Sequence, residues 1–167
     1  MAKWSYSIAT WTPVVAVDGA PLTNDNFQGL KGNTATQRYD ILEVYMGGQG
    51  TSSAPMYMVL SRSNLVGSST TNSTMAVATQ ALLDTAATVA ASSLMFTSSV
   101  TPPTRAANGR VLNLSYNGFG GIVRWVAPPG SEIKQLGQGV STGEITLSAH
   151  TGGTPSAMGS HVIYEAF

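Results

Sequence analysis

The strongest constraint on this chain lies in its last third, where short alternating apolar segments are separated by turn residues. From Arg110 to Tyr116, Leu112, Leu114 and Tyr116 alternate with Asn113 and Ser115. That is the two-residue period of a strand with one buried face. Asn117-Gly118 follows; both residues tolerate positive φ, which predicts a tight hairpin. Residues 120–127 then predict the return strand. Pro128-Pro129-Gly130 supplies a turn in which Pro sets one φ and Gly admits a positive one. Ser131 to Leu136 predicts a strand running back. Glu144 to Ala149 places Ile145, Leu147 and Ala149 on one side, and His161 to Phe167 closes the series. Strands at this spacing predict an all-β sandwich or barrel. Leu112, Leu114, Ile145 and Leu147 are its expected core residues.

Earlier segments extend the pattern. Tyr39 to Met46 and Pro55 to Arg62 are apolar on two faces, as expected of strands covered on both sides. Between them GGQGTSSA reads as a loop. Met75, Leu82, Ala86 and Val89 stand at roughly helical spacing behind Ser73 or Thr74 as a cap, which predicts at most one short helix. Leu94 to Thr97 reads as a further short strand. Residues 1–38 read as an extended N-terminal arm, with residues 39–167 as the β-sandwich domain. In the arm, Trp4, Tyr6 and Ile8 alternate with Lys3, Ser5 and Ser7, Asp18-Gly19 supplies a turn, and the polar stretch Thr23 to Thr36 serves as a hinge. Trp4, Tyr6 and Trp11 are too costly to leave in water, so they join the domain's own core or dock on a neighbour. Deletion of residues 1–20 is expected to leave the β domain folded and to weaken its assembly.

Charge narrows the functional classes. The 167 residues carry eight Lys and Arg against eight Asp and Glu, 10% of the chain, where about 25% is typical. A basic footprint for nucleic acid is absent. There is no cysteine, which removes disulfides, thiolate metal sites and Cys nucleophiles together. No apolar run reaches the ~18 residues of a membrane span. The start lacks the apolar core of a signal peptide, so synthesis in the cytoplasm is expected.

Motifs for chemistry are thin. His150 and His161 flank a loop, and Glu144 or Glu165 would have to complete a metal site. Serine is too abundant for a Ser-His-Asp reading to mean much, and no G-x-S-x-G elbow occurs. Glu132, Glu144 and Glu165 fall on three consecutive expected strands; a glycosidase-like carboxylate pair is the sharp reading, and solvent-facing carboxylates are the favoured one. The clusters at 47–50, 118–121 and 151–153 lack the Lys-Ser/Thr of a phosphate loop and read as turns. No catalytic, cofactor or metal residue is therefore assigned. Arg124, beside Trp125, lies on the face of Ile122 and Val126. Such an arginine has a carboxylate partner, with Glu132 the candidate, or marks an interface. Trp4, Trp11, Trp125, Tyr57 and Tyr116 read as core residues, with a sugar-stacking platform as the alternative.

The stretch NLSYNGFGGIVRWVAPPGSEIKQLG, with Asn117-Gly118-Phe119-Gly120-Gly121, Arg124-Trp125 and Pro129-Gly130, resembles small virion proteins of tailed bacteriophages. So do Gly159-Ser160-His161 and Val44-Tyr45-Met46-Gly47-Gly48-Gln49, so that the resemblance covers roughly residues 43–167. It implies a jelly-roll or related β-sandwich that decorates or cements the capsid, with the major capsid protein and further copies of itself as partners. A homotrimer is expected, held in part by Trp4, Tyr6, Trp11, Arg124 and Trp125, because surplus apolar surface marks interfaces. A carbohydrate-binding or host-attachment module is the alternative.

Overall fold

Two antiparallel sheets share one core, and each new strand of the chain tends to change sheet. The computed structural model describes residues 3–23, 26–32, 38–65, 68–71, 80–83, 91–96, 98–136 and 144–166. The strands are β1 (Lys3–Trp11), β2 (Phe27–Gly32), β3 (Arg38–Gln49), β4 (Pro55–Leu65), β5 (Ser68–Thr71), β6 (Gln80–Leu82) and β7 (Ala91–Phe96). They continue with β8 (Ser98–Thr101), β9 (Thr104–Asn117), β10 (Phe119–Val126), β11 (Ile133–Leu136), β12 (Glu144–Ala149) and β13 (Met158–Ala166). The six-stranded sheet has the order β10-β3-β13-β1-β6, with β11 also on β3. The five-stranded sheet has the order β7-β2-β12-β4-β9, and β5 pairs with β8 apart from both. The described residues contain no helix. Within the segment where one was expected, Gln80–Leu82 and the start of β7 are strands, and residues 72–79 and 84–90 lie outside the described residues.

Alternation explains the core. The six-stranded sheet contributes Ile41, Val44, Met46, Ile133, Met158, Val162 and Tyr164. The other sheet contributes Leu30, Met56, Met58, Leu60, Leu114, Ile145, Leu147 and Ala149. Of the four expected core residues, Leu114, Ile145 and Leu147 are buried, and Leu112 packs against the cluster partly buried. A register shift between Ile163 and Tyr164 brings Ile41, rather than Leu42, opposite Tyr164. Ile41 thereby joins Val44 and Met46 in the core although simple alternation separates them. A polar bond crosses the core, from Ser160 Oγ to Gln28 Oε1 at 3.2 Å.

Four expectations about chain path are corrected. The N-terminal segment is not an arm standing apart: β1 lies between β13 and β6, with Trp4 opposite Tyr164, Tyr6 opposite Val162 and Trp11 opposite Met158. The expected hinge contains β2, whose Phe27, Gln28 and Leu30 are buried. Its polar letters hide a strand because Gln28 finds its partner inside the core. Asn117-Gly118 does not join a hairpin ladder, since β9 pairs with β4 and β10 with β3. It is a corner between sheets, in which Asn117 Oδ1 accepts the Phe119 N–H at 2.8 Å. Gly118 allows the close approach, for a Cβ there would lie 2.7 Å from that of Ser156. Finally, Pro129-Gly130 does form the expected turn, with Gly130 at φ 83° and Ser131 N–H donating to Pro128 at 2.9 Å. Yet β11 does not run back. It continues along β3 in the direction of β10, so the turn is an excursion from one edge.

Two measurements check this architecture. Leu114→Ala should cost about 2–5 kcal/mol in denaturant unfolding, while Asn113→Ala, exposed next to it, should stay within about 0.5 kcal/mol. Deleting residues 1–11 strips β13 of one whole neighbour and leaves an unpaired edge in the sheet. The truncated chain should lose its cooperative thermal transition; an unchanged melt would show that β1 is dispensable.

Candidate functional site

The polar centre of the molecule lies on the face of the five-stranded sheet turned away from the core. Alternation puts Thr146 and Ser148 of β12 there, beside Val59, Ser61 and Ser63 of β4, and all five are buried. Buried hydroxyls need partners. Ser61 and Thr146 hydrogen-bond each other at 3.1 Å, and Ser148 Oγ donates to the Val59 carbonyl at 3.4 Å. Residues 12–23 cross one end of this sheet as a strap. Thr151 N–H donates to the Ala16 carbonyl at 2.9 Å, Arg105 N–H to Ala20 at 2.7 Å, and Asn26 Nδ2 to Val14 at 2.9 Å.

A bulge in β9 arms this face. Ser63 of β4 pairs with Arg105, but Ser61 pairs with Arg110. Two steps on β4 thus oppose five on β9, and the three extra residues loop out. In an unbroken strand positions 105 and 110 point to opposite faces; here both guanidiniums reach Asp18. Arg105 Nη1 binds Asp18 Oδ1 at 2.5 Å, and Arg110 Nη2 pairs with Asp18 Oδ2. The bulge turns on Asn108, at φ 57°, and on Gly109, where a Cβ would meet the Arg62 carbonyl at 2.6 Å.

His150 completes the cluster. Its Nε2 is 2.7 Å from Arg105 Nη2 and 2.7 Å from Ser148 Oγ. A guanidinium only donates, so Nε2 must accept and the ring proton belongs on Nδ1. Nδ1 lies 4.0 Å from Asp18 Oδ1, without a hydrogen bond of good geometry. Burial, and after it the positive charge of Arg105, push the His150 pKa down to about 4. Ser148, His150 and Asp18 therefore share the composition of a catalytic triad but not its working geometry. The lone pair a serine would need is engaged by Arg105, and Ser148 is fully buried. The arrangement clasps the strap to the sheet.

The residues singled out in the sequence are dispersed. His150 stands on the outer side of the five-stranded sheet, whereas His161 lines a groove on the outer side of the other. Glu144 is buried at the start of β12, Glu165 lies on β13 opposite Asp40, and Glu132 accepts the Gly130 N–H at 2.8 Å. The expected triplet of adjacent strands is thus divided between sheets. Among the described residues no three His, Asp or Glu side chains form a metal-ligand group. Glu132 is not the partner of Arg124. Glu43 is, in a two-point pair of 2.8 and 3.0 Å that holds the Glu43 carboxyl below its usual pKa range. Trp125 packs against the core rather than outward. For Trp4, Tyr6 and Trp11 the backbone register is the whole of what is described. The Arg105–Asp18–Arg110 cluster escapes sequence reading because regular alternation separates its arginines; Asn108-Gly109 was the available signal for the bulge.

Beside the Arg124–Glu43 pair, β10 exposes apolar residues on the outer side of the six-stranded sheet. Ile122 is 63% exposed, Phe119 59% and Val126 51%. Tyr45, Gln49 and His161, over Gly47, Gly48, Gly120 and Gly159, line a groove of about 450 Å³ on this face. Comparisons with protein-family models, curated proteins and solved structures found no match.

The buried histidine makes stability depend on pH. Its folded pKa of about 4 lies below the ordinary histidine value of 6.5, so the unfolded chain binds the extra proton first. Stability should be independent of this group above pH 6.5 and fall as pH drops from 6.5 to 4, by about 3 kcal/mol at most. His150→Gln should flatten that limb in urea titrations across the range. An unaltered slope would show that another group causes the acid loss.

Proposed function

We propose that the chain is a structural protein of a bacteriophage particle, decorating or cementing the capsid surface through protein-protein contacts and not through catalysis. The bare apolar face around Ile122, Val126 and Phe119 carries this reading. Exposed apolar patches mark interaction surfaces, and an arginine among aromatics is typical of interface cores. The strand orders β1-β13-β3-β10 and β2-β12-β4-β9 support reading the sandwich as a jelly roll, with β6 and β7 added at one side. Jelly rolls serve as viral capsid domains and as lectins. The partners are the major capsid protein and two further copies in a trimer, located in the virion, with nucleic acid and membrane playing no part.

The groove lined by Tyr45, Gln49 and His161 favours a second reading as a carbohydrate-binding or host-attachment module, in which a sugar face stacks on the tyrosine. Light scattering separates the two. A trimeric mass that falls to the monomer in the Ile122→Lys, Val126→Lys double variant, with loss of binding to purified phage heads, supports the structural role. A monomer that binds glycans and leaves heads bare overturns it in favour of the second.

A further inference from the structure

We propose that the groove beside the β9 bulge is an oxyanion site that takes a carboxylate or phosphate group between Arg105 and Arg110. The groove has a volume of about 460 Å³ and is lined by Arg105, Ala106, Asn108, Gly109 and Arg110. Charge is unbalanced here. Two guanidiniums share the single carboxylate of Asp18, and His150, engaged as an acceptor, adds no negative charge. Arg105 is 6% exposed, and its Nε is buried with no hydrogen-bond partner. A buried cation with an unpaired N–H is costly unless further acceptors reach it. Carboxylate and phosphate oxygens match the guanidinium fork in shape and charge. A water molecule takes about 30 Å³ of liquid, so either anion fits the groove with its hydration only partly removed.

The bulge gives the site a fixed frame. Asn108 holds its left-handed conformation, and Gly109 is pressed against the Arg62 carbonyl. Both arginines are also anchored from behind: Arg105 by Ser148 and His150, Arg110 by Tyr57 Oη at 3.3 Å. An arriving anion therefore meets pre-positioned donors rather than two free side chains, which lowers the ordering cost of binding. The same chemistry has two sources, a free phosphate and an acidic side chain presented by another protein.

Amide chemical shifts of the full-length protein test this at constant ionic strength, with chloride as control. Inorganic phosphate, acetate and a short glutamate-rich peptide are titrated separately. Saturable shifts at residues 106–110 with any of the three are expected. Preference for phosphate points to the free anion, and preference for the peptide to a protein partner. Arg110→Gln should weaken binding at least tenfold, and Asp18→Asn, which removes the competing carboxylate, should tighten it. Arg110→Lys, which keeps the charge and loses the fork, guards against a folding defect and should bind between the two. Shifts no larger than those with chloride, or equal binding by wild type and Arg110→Gln, overturn the proposal.

Discussion

Strand β12 is buried on both faces, and much of the molecule is arranged to satisfy it. Ile145, Leu147 and Ala149 fill the inter-sheet core, which costs nothing in hydrogen bonds. Glu144, Thr146 and Ser148 are buried on the other side, where every polar group needs a partner. For Ser148 that need is met in a chain of dependence. Ser148 engages His150 and Arg105; Arg105 requires the Asp18 carboxylate; Asp18 belongs to the strap, and the strap links β1 of one sheet to β2 of the other. A break at any point leaves a buried charge or hydroxyl unpaired, which costs more than the pair itself contributes.

The two outward faces solve opposite problems. On the five-stranded sheet, polar residues are covered, and Ser61, Thr146 and Ser148 are bonded internally, so little there is left for a partner beyond the guanidiniums at the bulge. On the six-stranded sheet, exposed apolar residues of β10 remain in water beside two ion pairs, Arg124–Glu43 and Lys134–Asp40. An asymmetric distribution of this kind suits a subunit that adheres by one face and is closed on the other.

The strands on this frame differ in how plainly their sequences declare them. β9 and β12 are legible because inner and outer residues alternate with clear contrast, as Leu114 does against Asn113 and Ser115. β2 is not, since Phe27-Gln28-Gly29-Leu30 looks polar until Ser160 of the opposite sheet accounts for Gln28. Likewise β1 alternates visibly, but alternation is equally compatible with an arm and with an inner strand; only the presence of β13 and β6 on its two edges distinguishes them.

From its sequence alone this protein was bound to be an all-β chain with turns at 117–118 and 128–130 and a core containing Leu114, Ile145 and Leu147. Those features follow from local period and local φ preferences, which each segment carries within itself. Which strands pair, that Asn117-Gly118 turns between sheets, that Arg124 meets Glu43, and that Arg105 and Arg110 converge on Asp18 were decided only by tertiary structure. Each depends on residues far apart in the chain and on a bulge or corner that shifts the local phase, and a local pattern carries no record of such partners.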